Sequence, residues 1–208
     1  MKSVVCFGDS NTWGYNPESK SRYPRAERWT GILAELLGTG YEVIEEGLNG
    51  RTTVWEDPIE EYKCGKDQLI PIVKSHKPFD LLVLMLGTND LKHRFSLTAY
   101  DIAQGAGLLV RMARALDDPV EGPAPEILLV APPPVGALSN YAEMFAGATG
   151  TSLRLAEEFA AVAHELGCPF LDLARVAVSS PVDGIHFDRE NHAKIARAVA
   201  DKVRHIAG

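Results

Sequence analysis

Short apolar runs alternate with longer stretches of helical spacing along this chain. The apolar runs predict five strands, at Ser3 to Phe7, Glu42 to Glu46, Leu81 to Leu86, Ile127 to Ala131 and Pro169 to Leu173. Apolar residues spaced three or four apart predict helices between the strands, at Trp29 to Leu37, Lys66 to Ser75, Thr98 to Leu116 and Leu153 to Leu166, with a last helix capped by Asp188. This alternation implies an α/β fold in which helices cover both faces of a parallel sheet.

Two details of the helices can be read from the sequence. Thr98 and Asp101 have the spacing of a capping box at the start of the third predicted helix. Pro71 lies inside the second predicted helix and is expected to shorten or kink it, because proline lacks a backbone N–H.

Length and composition restrict the class of protein. At roughly 150 residues per domain, 208 residues predict a single domain over 1–208. The chain is 46% hydrophobic and 24% charged, which excludes disordered, collagen-like and coiled-coil proteins. Its net charge is −7, and no Lys/Arg cluster exceeds two residues, so nucleic acid is not an expected partner.

The apolar stretches and the cysteines indicate whether a membrane is an expected partner and in which compartment the protein is expected. The longest apolar stretch, Leu81 to Leu86, is far shorter than the roughly 20 residues of a membrane span, so no membrane partner is expected. Val4 to Phe7 is too short for the core of a signal peptide, and the predicted location is cytoplasmic. The three cysteines are widely spaced and suggest neither a disulfide framework nor a zinc site, in agreement with that location: Cys6, Cys64 and Cys168.

Glycine-bearing polar turns follow the first three predicted strands. They read Gly8-Asp9-Ser10-Asn11-Thr12, Gly47-Leu48-Asn49-Gly50-Arg51-Thr52 and Gly87-Thr88-Asn89-Asp90. Ligands of open parallel sheets bind beyond the carboxyl ends of the strands, and glycine permits the sharp turns needed there. A serine hydroxyl, backbone N–H groups and an amide side chain are therefore expected at one shared site.

Asp183-Gly184-Ile185-His186 precedes the last predicted helix. A carboxylate three residues before an imidazole can reach back to the ring and fix its tautomer, as a nucleophilic serine requires.

Other interpretations of these residues are open at this stage. Ser10 could be a helix N-cap, and Asn89 a turn residue. Asp172 or Asp188 could replace Asp183, although Asp188 is better explained as a helix cap. His186 and His192 could form a metal pair, but no third ligand is visible at the required spacing. We interpret Asp9 and Asp90 as structural turn carboxylates.

Taken together, these motifs resemble the four blocks of the SGNH (GDSL-type) hydrolases, in order and over the whole chain. The matching positions are Gly8-Asp9-Ser10-Asn11, Gly50, Gly87-Thr88-Asn89-Asp90 and Asp183-x-x-His186. The resemblance implies a three-layer flavodoxin-like fold with a five-stranded parallel sheet. It also implies a serine ester hydrolase that uses neither a metal nor another cofactor.

Further segments resemble the bacterial arylesterase/acyltransferase branch of that family. They are Arg28-Trp29-Thr30-Gly31, Val43 to Leu48, Arg51-Thr52-Thr53, Met85 to Asp90 and Asp183 to Phe187. This branch forms large homo-oligomers, among them octamers, and transfers acyl groups to alcohols or peroxide as well as to water. The resemblance therefore implies a homo-oligomer, in which the segment Asn16 to Arg28 is expected to contact a neighbouring subunit unless it is a disordered excursion.

The resemblance also assigns roles to individual residues. Ser10 becomes the nucleophile, His186 the general base and Asp183 its orienting carboxylate. The oxyanion hole would consist of the N–H groups of Ser10 and Gly50 and the side-chain amide of Asn89. The sequence departs from the branch at two places, because Asn49-Gly50 stands where Ser-Ala is common and Asn11 stands where Leu is common.

Four aromatic residues near the motifs are predicted to bind the substrate: Trp13, Trp55, Phe95 and Phe187. A bulky ring at Trp13 would restrict the acyl group to a short chain and exclude water, which favours acyl transfer. Core packing is the alternative role for Trp55 and Phe187.

The sequence thus predicts a serine esterase for small short-chain and aryl esters. A deacetylase of acetylated sugars is the alternative that would use the same residues. A non-catalytic flavodoxin-like module that binds flavin phosphate after the first strand is a third reading, but Asp9 in that loop would repel a phosphate group.

Overall fold

The computed structural model describes residues 1–207. Its strands, in chain order, are β1 Lys2–Gly8, β2 Tyr15–Asn16, β3 Ser21–Arg22, β4 Tyr41–Gly47, β5 Leu81–Met85, β6 Glu126–Ala131 and β7 Phe170–Asp172. Its helices are α1 Ser10–Trp13, α2 Trp29–Leu37, α3 Gly65–His76, α4 Ala99–Arg114, α5 Ala148–Ser152, α6 Leu155–Leu166 and α7 Arg189–Ala207. The predicted domain ends at Gly208, which lies outside the described residues.

The central sheet is parallel throughout and has the strand order β4-β1-β5-β6-β7. The five predicted strands and the α/β class are confirmed. The chain passes from β1 to β4 on one side of β1 and then returns to add β5 on the other side. Such a switch in strand order opens a crevice at the carboxyl ends of the strands. In the register Gly8 lies beside Gly47 on β4 and beside Met85 on β5, so the first three polar turns begin side by side.

Two layers of side chains bury the faces of the sheet. All five residues of β5 are buried, as expected for a strand covered on both sides. Leu69, Ile102 and Phe159 pack one face with helices α3, α4 and α6. Trp29 and Ile195 pack the other face with α2 and α7. These helix layers give the three-layer arrangement that was predicted.

The ends of two helices follow the sequence signals. Thr98 Oγ1 accepts from the N–H of Asp101, and the Asp101 carboxylate accepts from the N–H of Thr98, which confirms the capping box of α4. Asp188 Oδ1 accepts from the N–H of Asn191 at 2.8 Å, which confirms Asp188 at the start of α7. Pro71 does not shorten α3, because the helix continues through it to His76.

The segment between α1 and α2 contains short elements that the spacing of apolar residues did not indicate. The Asn16 to Arg28 segment includes β3, which pairs antiparallel with β2, and a 3-10 turn at Arg25–Glu27. Strands of two residues are too short to produce an alternating pattern.

No helix among residues 1–207 is long and apolar enough to cross a membrane.

His192 is a buried histidine of α7 that supports the fold. Its Nδ1 accepts from the backbone N–H of Trp29 at 3.2 Å, which fixes α7 to the start of α2. The rings of Tyr23 and Phe187 lie nearly perpendicular to the His192 ring, with centroid distances of 5.3 and 5.7 Å. Burial lowers the pKa of His192 to about 4, so the ring is neutral at neutral pH.

This burial predicts a loss of stability in mild acid. Between pH 6.5, the ordinary pKa, and about 4, the unfolded chain binds the His192 proton more readily than the folded chain. The folded state therefore loses roughly 3 kcal/mol as the pH falls through this window. Denaturant unfolding at pH 7 and pH 4 should show that the stability difference between wild type and His192→Asn shrinks by about that amount. An unchanged difference would contradict this prediction.

Candidate active site

Ser10 lies directly beyond β1, at the first residue of the short helix α1. Asp9 is the N-cap of this helix, and its Oδ1 accepts from the N–H of Asn11 at 2.9 Å. The capping role therefore belongs to Asp9, as its interpretation as a turn carboxylate requires, and not to Ser10. The Ser10 hydroxyl is left to face the cavity at the carboxyl end of the sheet.

A chain of hydrogen bonds joins Ser10, His186 and Asp183. Ser10 Oγ lies 2.9 Å from His186 Nε2, and His186 Nδ1 lies 2.6 Å from Asp183 Oδ2. Asp183 Oδ1 accepts from the N–H groups of Ile185 and His186, each at 2.9 Å. The carboxylate is thus fixed by its own turn, and the histidine ring is fixed between carboxylate and hydroxyl.

The tight turn that carries Asp183 and His186 depends on Gly184. Its φ is +76°, a conformation that residues with a side chain rarely adopt. A Cβ atom there would also lie 2.6 Å from the carbonyl oxygen of Ala137. The turn is tied to the serine by Asn11, whose Nδ2 donates to the carbonyl of Ile185 at 3.3 Å.

The environment of Asp183 keeps it ionised. Burial raises the pKa of Asp183, but the hydrogen bond from His186, the charge of that ring and the two backbone N–H groups together hold it below its ordinary value. An ionised Asp183 favours the tautomer with a proton on Nδ1. His186 Nε2 is then an acceptor for the Ser10 hydroxyl proton, the arrangement of an activated serine nucleophile.

Gly50 and Asn89 line the same cavity as Ser10 and His186. Gly50 has a φ of +82°, which glycine adopts without strain. Asn89 Nδ2 donates to the carbonyl of Arg51 at 3.1 Å and to Asp9 Oδ2 at the longer distance of 3.5 Å. The structure therefore places the three residues that the sequence analysis assigned to an oxyanion hole around one cavity.

Arg51 holds these turns against one another. Its Nη1 donates to the carbonyls of Gly8, at 2.8 Å, and Glu46, the ends of β1 and β4. Its Nε donates to Gln68 Oε1 at 2.9 Å. Burial lowers the pKa of Arg51 to about 10, so the guanidinium stays charged at neutral pH.

Asp90 has a structural contact that differs in detail from the expectation. Its carboxylate accepts from the N–H and the hydroxyl of Thr53. It is therefore a structural carboxylate, as interpreted from the sequence, but it links the third turn to the second. Burial raises the pKa of Asp90 to about 6.

The cavity around Ser10 has a volume of about 190 Å³. Its lining consists of Ser10, Tyr15, Asn49, Gly50, Glu60, Lys63, Asn89, Lys92, Tyr141, Met144, Phe145, Ile185 and His186. The rings of Tyr15 and Tyr141 lie 4.2 and 6.0 Å from the His186 ring. The lining thus combines aromatic and other apolar side chains with a charged group that consists of Glu60, Lys63 and Lys92.

The four aromatic residues predicted to bind the substrate lie elsewhere in the described chain. Phe187 is fully buried in the core beside His192, so it has the core-packing role that was the alternative to substrate binding. Trp13 packs under the guanidinium of Arg22, at 5.0 Å. Trp55 is 37% exposed, outside the cavity lining, and Phe95 ends a 3-10 turn. Closeness in sequence to a motif does not determine which way a side chain points.

Sequence reasoning missed the aromatic residues that do line the cavity. Tyr15 follows Ser10 by five residues, and Tyr141 and Phe145 have the spacing of one helical turn. The one available signal was that Tyr141 and Phe145 lie in the long Pro132 to Gly150 segment, a length that often marks functional loops.

Comparisons with known proteins agree with this geometry. Residues 6–194 match the model of the GDSL-like lipase/acylhydrolase family. Est24, a carbohydrate acetylesterase from Sinorhizobium meliloti, is 40% identical with a TM-score of 0.95, over 99% of this chain and 99% of that chain. An aryl esterase from M. smegmatis is 38% identical with a TM-score of 0.96, over 99% of this chain and 100% of that chain. A search of curated proteins found no match.

Proposed function

The chain belongs to the GDSL-like lipase/acylhydrolase family, and we propose that it is a serine esterase for short-chain and aryl esters that acts through an acyl-enzyme. One observation carries the proposal: Ser10 Oγ, His186 and Asp183 form a continuous hydrogen-bonded chain at the cavity, at 2.9 and 2.6 Å. That the protein is a carboxylic ester hydrolase is supported independently by its similarity to an aryl esterase and a carbohydrate acetylesterase.

The first half of the reaction forms the acyl-enzyme. His186 Nε2 accepts the hydroxyl proton as Ser10 Oγ bonds to the ester carbonyl carbon. The proton then passes from His186 to the leaving oxygen as the bond between carbonyl carbon and alcohol breaks. Asp183 stabilises the imidazolium that exists between these two proton transfers.

The second half of the reaction releases the acyl group. A water molecule gives a proton to His186 Nε2 and attacks the acyl carbon. The bond to Ser10 breaks, and His186 returns the proton to the serine oxygen. An alcohol or a peroxide that takes the place of water yields a new ester or a peracid.

In both halves the negative charge on the carbonyl oxygen needs hydrogen-bond donors. We assign this role to the N–H groups of Ser10 and Gly50 and to the Asn89 amide, whose longer hydrogen bond, to Asp9 Oδ2 at 3.5 Å, is the one that an oxyanion would replace; all three residues line the cavity. Loss of one such donor typically costs about 2.7 to 4 kcal/mol of transition-state stabilisation.

The size and lining of the cavity support short acyl groups and acyl transfer. Its 190 Å³ is below the roughly 300 Å³ at which pockets for larger ligands begin. Tyr15, Tyr141 and Phe145 cover the side near His186 with apolar surface, which limits the access of water to the acyl-enzyme.

Hydrolysis of p-nitrophenyl esters from acetate to dodecanoate tests this function. We expect kcat/KM to fall with chain length, because a long chain has no enclosed surface on which to pack. Adding methanol to the assay should divert part of the acyl group to methyl ester at the expense of free acid.

Ser10→Ala is expected to reduce turnover by at least a thousandfold, and Ser75→Ala, at an exposed serine of α3, should leave it unchanged. Equal activity of Ser10→Ala and wild type would contradict the proposed nucleophile. A rate that rises toward dodecanoate would contradict the short-chain specificity.

The same proposal includes a homo-oligomer in a reducing compartment such as the cytoplasm. Ile59 and Tyr62, three residues apart in the loop after β4, are 72% and 80% exposed, and we expect a neighbouring subunit to cover them. The three cysteines are unpaired and buried, as in a reducing compartment.

Light scattering at micromolar concentration tests the oligomer. We expect a mass several times the 22.6 kDa of one chain, and Tyr62→Asp should shift the mass toward that of one chain. A wild-type mass of 22.6 kDa would contradict the oligomer.

A further inference from the structure

One side of the cavity, formed by Glu60, Lys63 and Lys92, carries charge at the place where the substrate would lie. We refer to these three residues as the charged wall. None of them has a role in the proton transfers described above. Ionisable groups at the edge of a small cavity are costly to cover with apolar material, because they lose water without gaining a partner.

The charged wall is held in place by a buried network around Asp57. Lys92, 2% exposed, donates to Asp57 Oδ2 at 3.0 Å and to Glu60 Oε1 at 2.7 Å. Arg94 Nη1 donates to Asp57 Oδ1 at 2.8 Å. Burial raises the pKa of Asp57, but the N–H groups of Glu60 and Ile59 and the Lys92 ammonium lower it to about 2. Asp57 is therefore ionised, and it compensates the charge of Lys92.

This network uses only one of the two carboxylate oxygens of Glu60. Oε1 is bound to Lys92, whereas Oε2 points toward Gly50, where it would be 2.7 Å from a Cβ atom at that glycine. The Glu60 side chain is 33% exposed and so remains accessible from the cavity. Within residues 1–207, no protein group donates a hydrogen bond to Oε2.

Lys63 adds donors beside this acceptor. Its Cε would lie 3.4 Å from the same Cβ position at Gly50, so its aliphatic stem runs past the glycine along the cavity. In the described part of the chain its ammonium forms no ion pair within 4.0 Å. A carboxylate oxygen and an ammonium group, both with unused hydrogen-bonding capacity, thus border the cavity next to a predicted oxyanion-hole residue.

The chemistry of this pair selects a type of ligand. A hydroxyl group can donate to Glu60 and accept from Lys63, so a compound with several hydroxyls satisfies both. An apolar alcohol, such as that of an aryl ester, gains no hydrogen bond from either group. An alcohol that carries a carboxylate could bind Lys63 but would be repelled by Glu60, so it satisfies only one of the two groups. Simple acyl groups contain no hydroxyl, so the hydroxyls must belong to the alcohol part of the ester.

We propose that Glu60 and Lys63 form a subsite for the free hydroxyl groups of a polyhydroxylated alcohol, such as a partly acetylated sugar. This inference rests on the proposed esterase function and deepens it. Glu60 is a specificity-determining residue in this account, fixed in position by Lys92 and Asp57.

The test compares two acetate esters of six-membered rings, one with hydroxyls and one without. Monoacetylated methyl xyloside carries free hydroxyls, whereas cyclohexyl acetate has none. We expect wild type to favour the xyloside by at least tenfold in kcat/KM, mainly through a lower KM. Glu60→Gln should lower kcat/KM for the xyloside about tenfold more than for cyclohexyl acetate, because a charged acceptor of hydroxyl groups is replaced by a weaker neutral one.

Glu61→Gln is the matched control, since it removes the same charge from the neighbouring exposed carboxylate. It should keep the wild-type preference. Lys63→Met leaves the Lys92 and Asp57 pair in place and should lower the preference in the same direction. This second variant decides the question if Glu60→Gln does not fold.

The outcomes separate the subsite from the esterase function. Equal loss of both activities in Glu60→Gln, or an unchanged preference in Glu60→Gln or Lys63→Met, would overturn the subsite while leaving an esterase. A wild-type enzyme that hydrolyses both rings equally would also overturn it. If wild type cleaves neither these esters nor p-nitrophenyl acetate, the proposed function itself fails.

Discussion

The buried guanidinium of Arg51 is the interaction on which the geometry of the site depends. It donates to the carbonyls of Gly8 and Glu46, where two neighbouring parallel strands end. The Arg51 carbonyl in turn accepts from the Asn89 amide, which belongs to the turn after a third strand. Parallel strands bring their carboxyl ends to one edge, and Arg51 joins the polar turns at that edge into one rigid surface. Ser10 is positioned by the first of these turns.

The pKa values of the buried aspartates shift in opposite directions, and the surroundings of each carboxylate explain its shift. Burial raises the pKa of Asp9 to about 6, because the backbone N–H groups that it accepts, among them that of Asn11, and the nearby charges offset the burial only partly. Asp183 and Asp57 are buried too, but each accepts two backbone N–H groups and faces a cationic or ionisable partner, and the pKa of each is lowered. Asp90 has two donors from Thr53 and still has a raised pKa, so the stronger desolvation of Asp9 and Asp90, together with the donors around each carboxylate, decides which aspartates carry charge.

Local patterns predicted the sheet, and they pointed to Ser10, His186 and Asp183, which the structure joins by hydrogen bonds. The apolar run at β5 and the glycine turn at Ser10 are short-range signals, and the alternation of strands with helices indicates a parallel sheet without giving the order of its strands. The cavity lining was not predictable in this way. Tyr141 contacts His186 from a loop with no periodic pattern. Glu60 is held at the cavity by a hydrogen bond from Lys92, a residue that is distant in sequence. Such contacts depend on loop conformations that the residue pattern does not encode locally.

The central claim is that Ser10 carries the acyl group during turnover. Rapid acid quench of the enzyme with p-nitrophenyl acetate, followed by peptide mass spectrometry, measures this directly. The account predicts one acetyl group on the peptide that contains Ser10, at a stoichiometry that rises with substrate and disappears after the substrate is consumed. Acetylation at another residue that forms and decays at the rate of turnover, with Ser10 unmodified, would contradict it.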